Sequence, residues 1–257
     1  MKKFITNNYT LYSIGFILFL LIWTVISLSI QERDLIFPDP LSTLKTTFEL
    51  LKTSYVYKSL GASFLKMIIG FLISLALALI FGTIAGNIKY SEKIMAPTIL
   101  ILKTIPTASL VFLFLVLFNA KYTPIAIVAL ISFPILFESV LGGIKNIDKD
   151  ILDALKMENC SEFRKLIKVK LPLAFPYILV GIFSSFALSF KIEIMAEVIS
   201  GSTSYGLGSA ISSAQKNNPA DMAPIFAYSL IAIIFIILFS LITRLIANKL
   251  KIIDVKF

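Results

Sequence analysis

Six stretches of the chain are apolar almost throughout, and polar residues gather between them rather than on one helical face or at alternate positions. They cover residues 11–30, 60–87, 94–118, 123–142, 176–200 and 223–247. Each reaches the about 20 residues that a helix needs to cross the hydrocarbon of a bilayer. In lipid the backbone must satisfy its own polar groups, so such runs form helices. The pattern predicts an all-α integral membrane protein, a bundle of six transmembrane helices in one domain spanning residues 1–257. The first run follows Lys2 and Lys3, as a secretory signal would. It is long for such a signal and no small-x-small cleavage site follows, so it is taken as an uncleaved first span.

The segments between the spans have patterns of their own. After the first span comes Phe37-Pro38-Asp39-Pro40, then residues 41–51 with Leu44, Phe48 and Leu51 at helical spacing. Ser42 or Thr43 is the expected cap of that helix. Residues 200–222 are polar and rich in glycine. Residues 146–172 read as two short helices. The first, 149–158, carries Ile151, Leu152 and Leu155 on one face. Asn159 suits the left-handed turn that ends it. Ser161 is the expected N-cap of the second, with Glu162 at its positive end. Phe163, Leu166 and Ile167 follow, and Leu171-Pro172 is expected to close the helix. An apolar face held there either packs on its own bundle or meets a protein partner.

Composition agrees with the spans. Of 257 residues, 58% are hydrophobic and 15% charged, against about 25% charged in a soluble domain. The formal net charge is +9, and its distribution explains it. With the N-terminus inside, 15 of the 24 Lys and Arg fall in inner segments, 6 in outer ones and the remaining three within spans. Cytoplasmic loops carry that excess, so both termini are placed in the cytoplasm. No basic stripe with interleaved aromatics exists, and nucleic acid is not an expected partner. The absence of histidine and the single Cys160 remove intrachain disulfides, His/Cys metal sites and the Ser-His and Cys-His routes to catalysis. Cys160 is read as a small turn residue. No Gly-x4-Gly-Lys-Ser/Thr sequence is present, so the chain does not hold ATP in a P-loop. Neither an enzyme nor a metal or cofactor is expected.

Within the spans, three groups stand out. Gly70, Ser74, Ala78, Gly82 and Gly86 form a stripe of small residues at every fourth position, which lets another backbone approach, within one subunit or between two. Pro106 breaks the third span, so Lys103–Ser109 is a candidate lining of a pathway, or a simple kink. Lys191, Glu193 and Glu197 are charges in the fifth span, and intramembrane charges are functional candidates. Glu193 and Glu197 share a face, with Lys191 nearly opposite. Lys66, at similar depth in the second span, is a possible partner for either glutamate; snorkelling to the interface is the other reading.

The stretch Asp153-Ala154-Leu155-(x3)-Asn159, followed by Leu171-Pro172, resembles the "EAA" loop of ABC importer permeases, which has Glu-Ala-Ala, three residues, Gly, then Leu-Pro. Phe37-Pro38-Asp39-Pro40, Ile105-Pro106-Thr107, and Ala196-Glu197-Val198 with Gly201 and Tyr205-Gly206-Leu207-Gly208 are similar to further motifs of that family, in its nitrate/sulfonate/taurine branch. The resemblance implies a MetI-like permease fold with a cytoplasmic helical coupling loop. It also implies a homodimer of permeases on an ABC ATPase dimer, fed by an extracellular or periplasmic substrate-binding protein, in the bacterial plasma or inner membrane. Asp153, Ala154, Leu155, Asn159, Ser161, Phe163, Leu171 and Pro172 would then be the residues that meet the ATPase. The solute would be small and anionic or heterocyclic. An ion- or proton-coupled secondary transporter is the rival, but it predicts inverted repeats and carboxylates near the midplane, and neither is evident.

Overall fold

The computed structural model describes residues 8–30, 36–158, 160–201 and 204–249, and among them every regular element is helical. The helices are α1 (Asn8–Ser29), α2 (Pro40–Leu51), α3 (Ser54–Asn87), α4 (Ser91–Thr104), α5 (Thr107–Lys145), α6 (Lys149–Met157), α7 (Glu162–Lys165), α8 (Leu171–Ser200), α9 (Leu207–Asn217) and α10 (Ala223–Lys249), with a π-helical turn at Leu166–Lys170 joining α7 to α8.

Among the described residues, five helices are long and apolar enough to cross a membrane, by length and composition. The difference from six lies in the third and fourth expected spans. No single helix covers residues 94–118. Proline disfavours a helical residue before it, and Ile105 is extended at φ −63, ψ 129. Pro106, at φ −59 and ψ 121, is the N-cap of α5 rather than a kink within a helix. The 14 residues of α4 rise about 21 Å, too little for the about 30 Å of hydrocarbon. Residues 107–118 supply the remainder. The turn expected at 119–122 is a break inside α5 at Asn119, whose φ of 61 and ψ of 171 are not helical. Asparagine is among the few residues that accept positive φ. Its side-chain oxygen accepts from the Lys121 N–H at 3.0 Å, and its carbonyl from the Thr123 hydroxyl at 2.6 Å.

Beyond that break, residues 120–145 of α5 run through the middle of the bundle between α3 and α8. Small residues set the spacing on both sides. The stripe on α3 faces α5 of the same chain. A Cβ on Gly70 would lie 2.5 Å from the Ile125 carbonyl, one on Gly82 2.7 Å from Val140 Cβ, and one on Gly86 2.8 Å from Ile144. Ser74 and Ala78 between them are fully buried. On the α8 side, a Cβ on Gly181 would lie 2.2 Å from the Ser139 hydroxyl, and Ser132 and Ser189 share a hydrogen bond of 2.7 Å. With no water to drive helices together, this close contact and interhelical hydrogen bonding hold them. Phenylalanines finish the core, with Phe186 stacked on Phe239 at 3.8 Å and Phe64 and Phe190 set against Phe235.

The cap of α2 differs from expectation. Asp39, not Ser42 or Thr43, is the N-cap, and its carboxylate takes the Ser42 N–H at 2.6 Å. Pro40 occupies the first helical position, where its missing N–H costs nothing. The Trp23 indole donates to the Pro38 carbonyl at 3.0 Å and the Ser27 hydroxyl to the Phe37 carbonyl at 2.9 Å, which pins this segment to α1.

Candidate functional site

The loop between α5 and α8 is built as two helices on a bend. Asp148 caps α6, taking the Asp150 N–H at 3.0 Å. Ser161 caps α7 through the Arg164 N–H. Asn159, the expected turn residue, lies outside the described residues. Leu155 points inward and is 8% exposed, so the leucine that replaces a small residue of the resembled motif packs toward this chain. Asp153 and Ala154 face outward, and among the described residues Asp153 pairs only with Lys156, at 2.6 Å. Met157 is 89% exposed and Phe163 71%.

Leu171-Pro172 does not end the second helix. The chain continues from Glu162 to Ser200 as one helical run of 39 residues. A proline inside an α-helix loses a hydrogen bond and its ring strikes the carbonyl four residues back. Here the ladder widens just before it, and the Leu171 N–H reaches back to the Leu166 carbonyl. Such a π-bulge is the local adjustment that lets the helix pass. The loop is therefore continuous with a membrane-crossing helix rather than hinged from it.

A second cluster gathers at the other end of α8. Glu197 is fully buried and, among the described residues, receives three donors: Lys66 Nζ at 2.6 Å, the Ser63 hydroxyl at 2.7 Å and the Gly208 N–H at 2.9 Å. Lys66 also donates to the Ser204 hydroxyl at 3.2 Å and the Tyr205 carbonyl at 3.1 Å. The Leu207 N–H donates to Ser63 Oγ at 2.8 Å. The first turn of α9, which has no cap from its own N-cap residue, is thus capped by side chains of α3 and α8. A carboxylate at a helix N-terminus meets both the free N–H groups and the positive end of the dipole. The glycines of residues 205–208 are needed for clearance. A Cβ on Gly206 would lie 2.1 Å from a Glu197 oxygen, and one on Gly208 2.3 Å from the Ile194 carbonyl. Of the two partners considered for Lys66, the structure selects Glu197. Glu193 lies beside Glu197, fully buried, and neither of its oxygens has a hydrogen-bond donor among the described residues. Lys191 is exposed on the far face of α8.

Lys103 pairs with Glu138 at 2.6 Å, and both side chains are open to the outside of the bundle, at 42% and 49%. Pro106 is exposed nearby. Glu138 and Ser63 escaped the sequence reading. Glu138 had a signal, as a carboxylate inside an apolar span. A serine on a span gives none, because only the fold reveals what its hydroxyl meets.

The helical bundle, with its exposed loop and its buried and open ion pairs, is that of a polytopic membrane protein. Residues 78–252 match the family described as binding-protein-dependent transport system inner membrane component. The chain belongs to that family. It is 28% identical to the bicarbonate transport system permease protein CmpB of Synechococcus elongatus, over 79% of this chain and 76% of that one. It is 24% identical to the nitrate import permease protein NrtB of the same organism, over 71% of this chain and 68% of that one. Its fold matches a crystal structure of an amino acid ABC transporter with TM-score 0.65 and 18% identity, covering 83% of this chain and all of the other. The chain is thus a transport permease subunit of an ABC importer with a MetI-like fold, and the secondary-transporter reading is not favoured.

Proposed function

We propose that this permease works as a homodimer of single-domain subunits, bound to a cytoplasmic ABC ATPase dimer through residues 146–172 and supplied by a substrate-binding protein on the opposite side. Asp153, Ala154, Asn159, Ser161 and Phe163 form the contact, while Leu155, Leu171 and Pro172 hold its frame. The observation that carries this reading is a two-helix loop with Met157 and Phe163 exposed, in a chain of a binding-protein-dependent family. Because the loop runs unbroken into α8, a push from the ATPase moves that helix and the Glu197 cluster at its far end. That cluster is the outer gate, with Glu193 beside it. The pathway runs past Lys103, Pro106 and Lys191, since charges facing outward at membrane depth are tolerated where water or a partner meets them.

The solute is a small anion. Relatives that import bicarbonate and nitrate support this class, and Lys191 supplies a cation free of a counter-ion among the described residues. In proteoliposomes, uptake should require the ATPase subunit, ATP on its side and the loaded binding protein. Uptake driven by a pH gradient without ATP would overturn the proposal.

Both termini and the loop are placed in the cytoplasm. Cys160 is the only cysteine, so a membrane-impermeant maleimide should label it in inverted vesicles and not in intact cells. Labelling from outside would reverse the topology.

A further inference from the structure

A polar cavity of about 420 Å³ opens where α3 gives way to α4, and Asn87, Lys89, Tyr90, Glu92, Lys93 and Lys145 line it. Its charges do not balance. Glu92 is taken by Lys145 at 2.8 Å. Among the described residues, Lys89 has only the Tyr90 ring beneath it, 5.0 Å away, and Lys93 has no hydrogen-bond or ion-pair partner. Lys170, from the π turn, adds a further cation at the rim by donating to Asn87 Oδ1. Two lysines therefore face the cavity without counter-charge.

The cavity continues into an apolar track. Ile94 and Ile101 share one face of α4 and are 76% and 56% exposed, and Tyr90, the N-cap residue just before the helix, is 60% exposed. Glu92, Ile99 and Lys103 occupy the opposite face; Glu92 and Lys103 pair with Lys145 and Glu138 of α5. The track rises along a helix that enters the bilayer. A tyrosine at its foot is the residue type found at headgroup level. A protein docking from the aqueous side can reach the lysines but not Ile101, which lies 11 residues beyond Tyr90 in sequence, about 16 Å along the helix. A lipid reaches both, with its phosphate among the lysines and an acyl chain along the track.

We propose that this cavity binds the phosphate headgroup of an anionic phospholipid of the cytoplasmic leaflet. Basic pockets between spans on that side are suited to such headgroups. The assignment of leaflet rests on the topology proposed above; the binding itself does not.

The test is an unfolding-temperature titration of the purified full chain in neutral detergent, with native mass spectrometry to count bound lipid. Phosphatidylglycerol should raise the unfolding temperature and remain bound. Phosphatidylcholine with the same acyl chains, and inorganic phosphate, should do neither. The Lys89→Ala/Lys93→Ala variant should need at least tenfold more phosphatidylglycerol for half the shift. Lys45→Ala/Lys52→Ala, which removes the same charge at exposed positions of and beside α2, should respond as the wild type does. An equal response to phosphatidylcholine or phosphate overturns the proposal, and so does equal loss in the control variant. Weakened ATPase binding by Lys89→Ala/Lys93→Ala with an unchanged lipid response would assign the cavity to a protein partner instead. External labelling of Cys160 would sink the topology and leave the detergent measurement untouched, so the two fail separately.

Discussion

Replacing Glu197 with alanine should abolish transport and lower the unfolding temperature of the permease more than any substitution on its exposed surface. The carboxylate is fully buried and its lysine partner is 13% exposed. Removing it leaves Lys66, the Ser63 hydroxyl and the Gly208 N–H without the acceptor they share. Breaking one side of a buried ion pair costs about 3–5 kcal/mol. The lower end applies here, because Lys66 keeps the Ser204 hydroxyl and the Tyr205 carbonyl. Lys66→Met should be at least as damaging, since it strands the carboxylate beside Glu193. The Lys66→Met/Glu197→Met double variant should recover part of the lost stability, because removing both charges costs less than orphaning one. It should not recover transport if the pair is the outer gate. Gly208→Ala should resemble Glu197→Ala, as its methyl would collide with the Ile194 carbonyl and push α9 away. Thermal unfolding in detergent and uptake in proteoliposomes measure the two effects. A Glu197→Ala chain as stable as the wild type would show that this cluster does not hold α9.

That cluster marks where sequence reasoning reached and where it stopped. The depth of Lys66 and the fifth-span glutamates could be counted from the span ends, so a cross-helix contact was foreseeable. Which glutamate it would be was not, because Glu193 and Glu197 occupy one helical face and only the position of α9 separates them. The spacing of residues 201–208 signalled glycines without a reason. The reason is a carboxylate from another helix pressed against them. The spans themselves were legible because twenty apolar residues have one solution in lipid. The break at Asn119 was legible as a polar interruption. The continuity of α7 with α8 was not, since Pro172 reads as a stop unless a wider turn precedes it. The stripe from Gly70 to Gly86 announced a close helix contact, but which helix it met depends on topology that local sequence does not encode.

Replacing Phe163 with glutamate should release the ATPase while leaving the permease folded. The ring is 71% exposed, so the bundle loses little when it is removed, and surface changes of this kind stay within about 0.5 kcal/mol of the wild type. A buried aromatic anchor at a protein interface is worth about 2 kcal/mol or more, roughly thirtyfold in Kd, and burying a charge in its place adds to the loss. Met157→Glu should act in the same direction. Asp153→Arg is a cleaner probe. Its only ion pair among the described residues is with the exposed Lys156, an interaction that contributes little to stability, so a defect is expected to arise at the partner. Leu155→Asp is the contrasting case. Its side chain is 8% exposed, and a charge there should unfold the loop itself, lowering the unfolding temperature along with binding. Co-purification of the ATPase, its stimulation by permease and thermal unfolding together separate these outcomes. If Phe163→Glu, Met157→Glu and Asp153→Arg all retain the ATPase and full uptake, the loop is not the contact. The motion that opens the pathway would then have to enter the bundle through another surface.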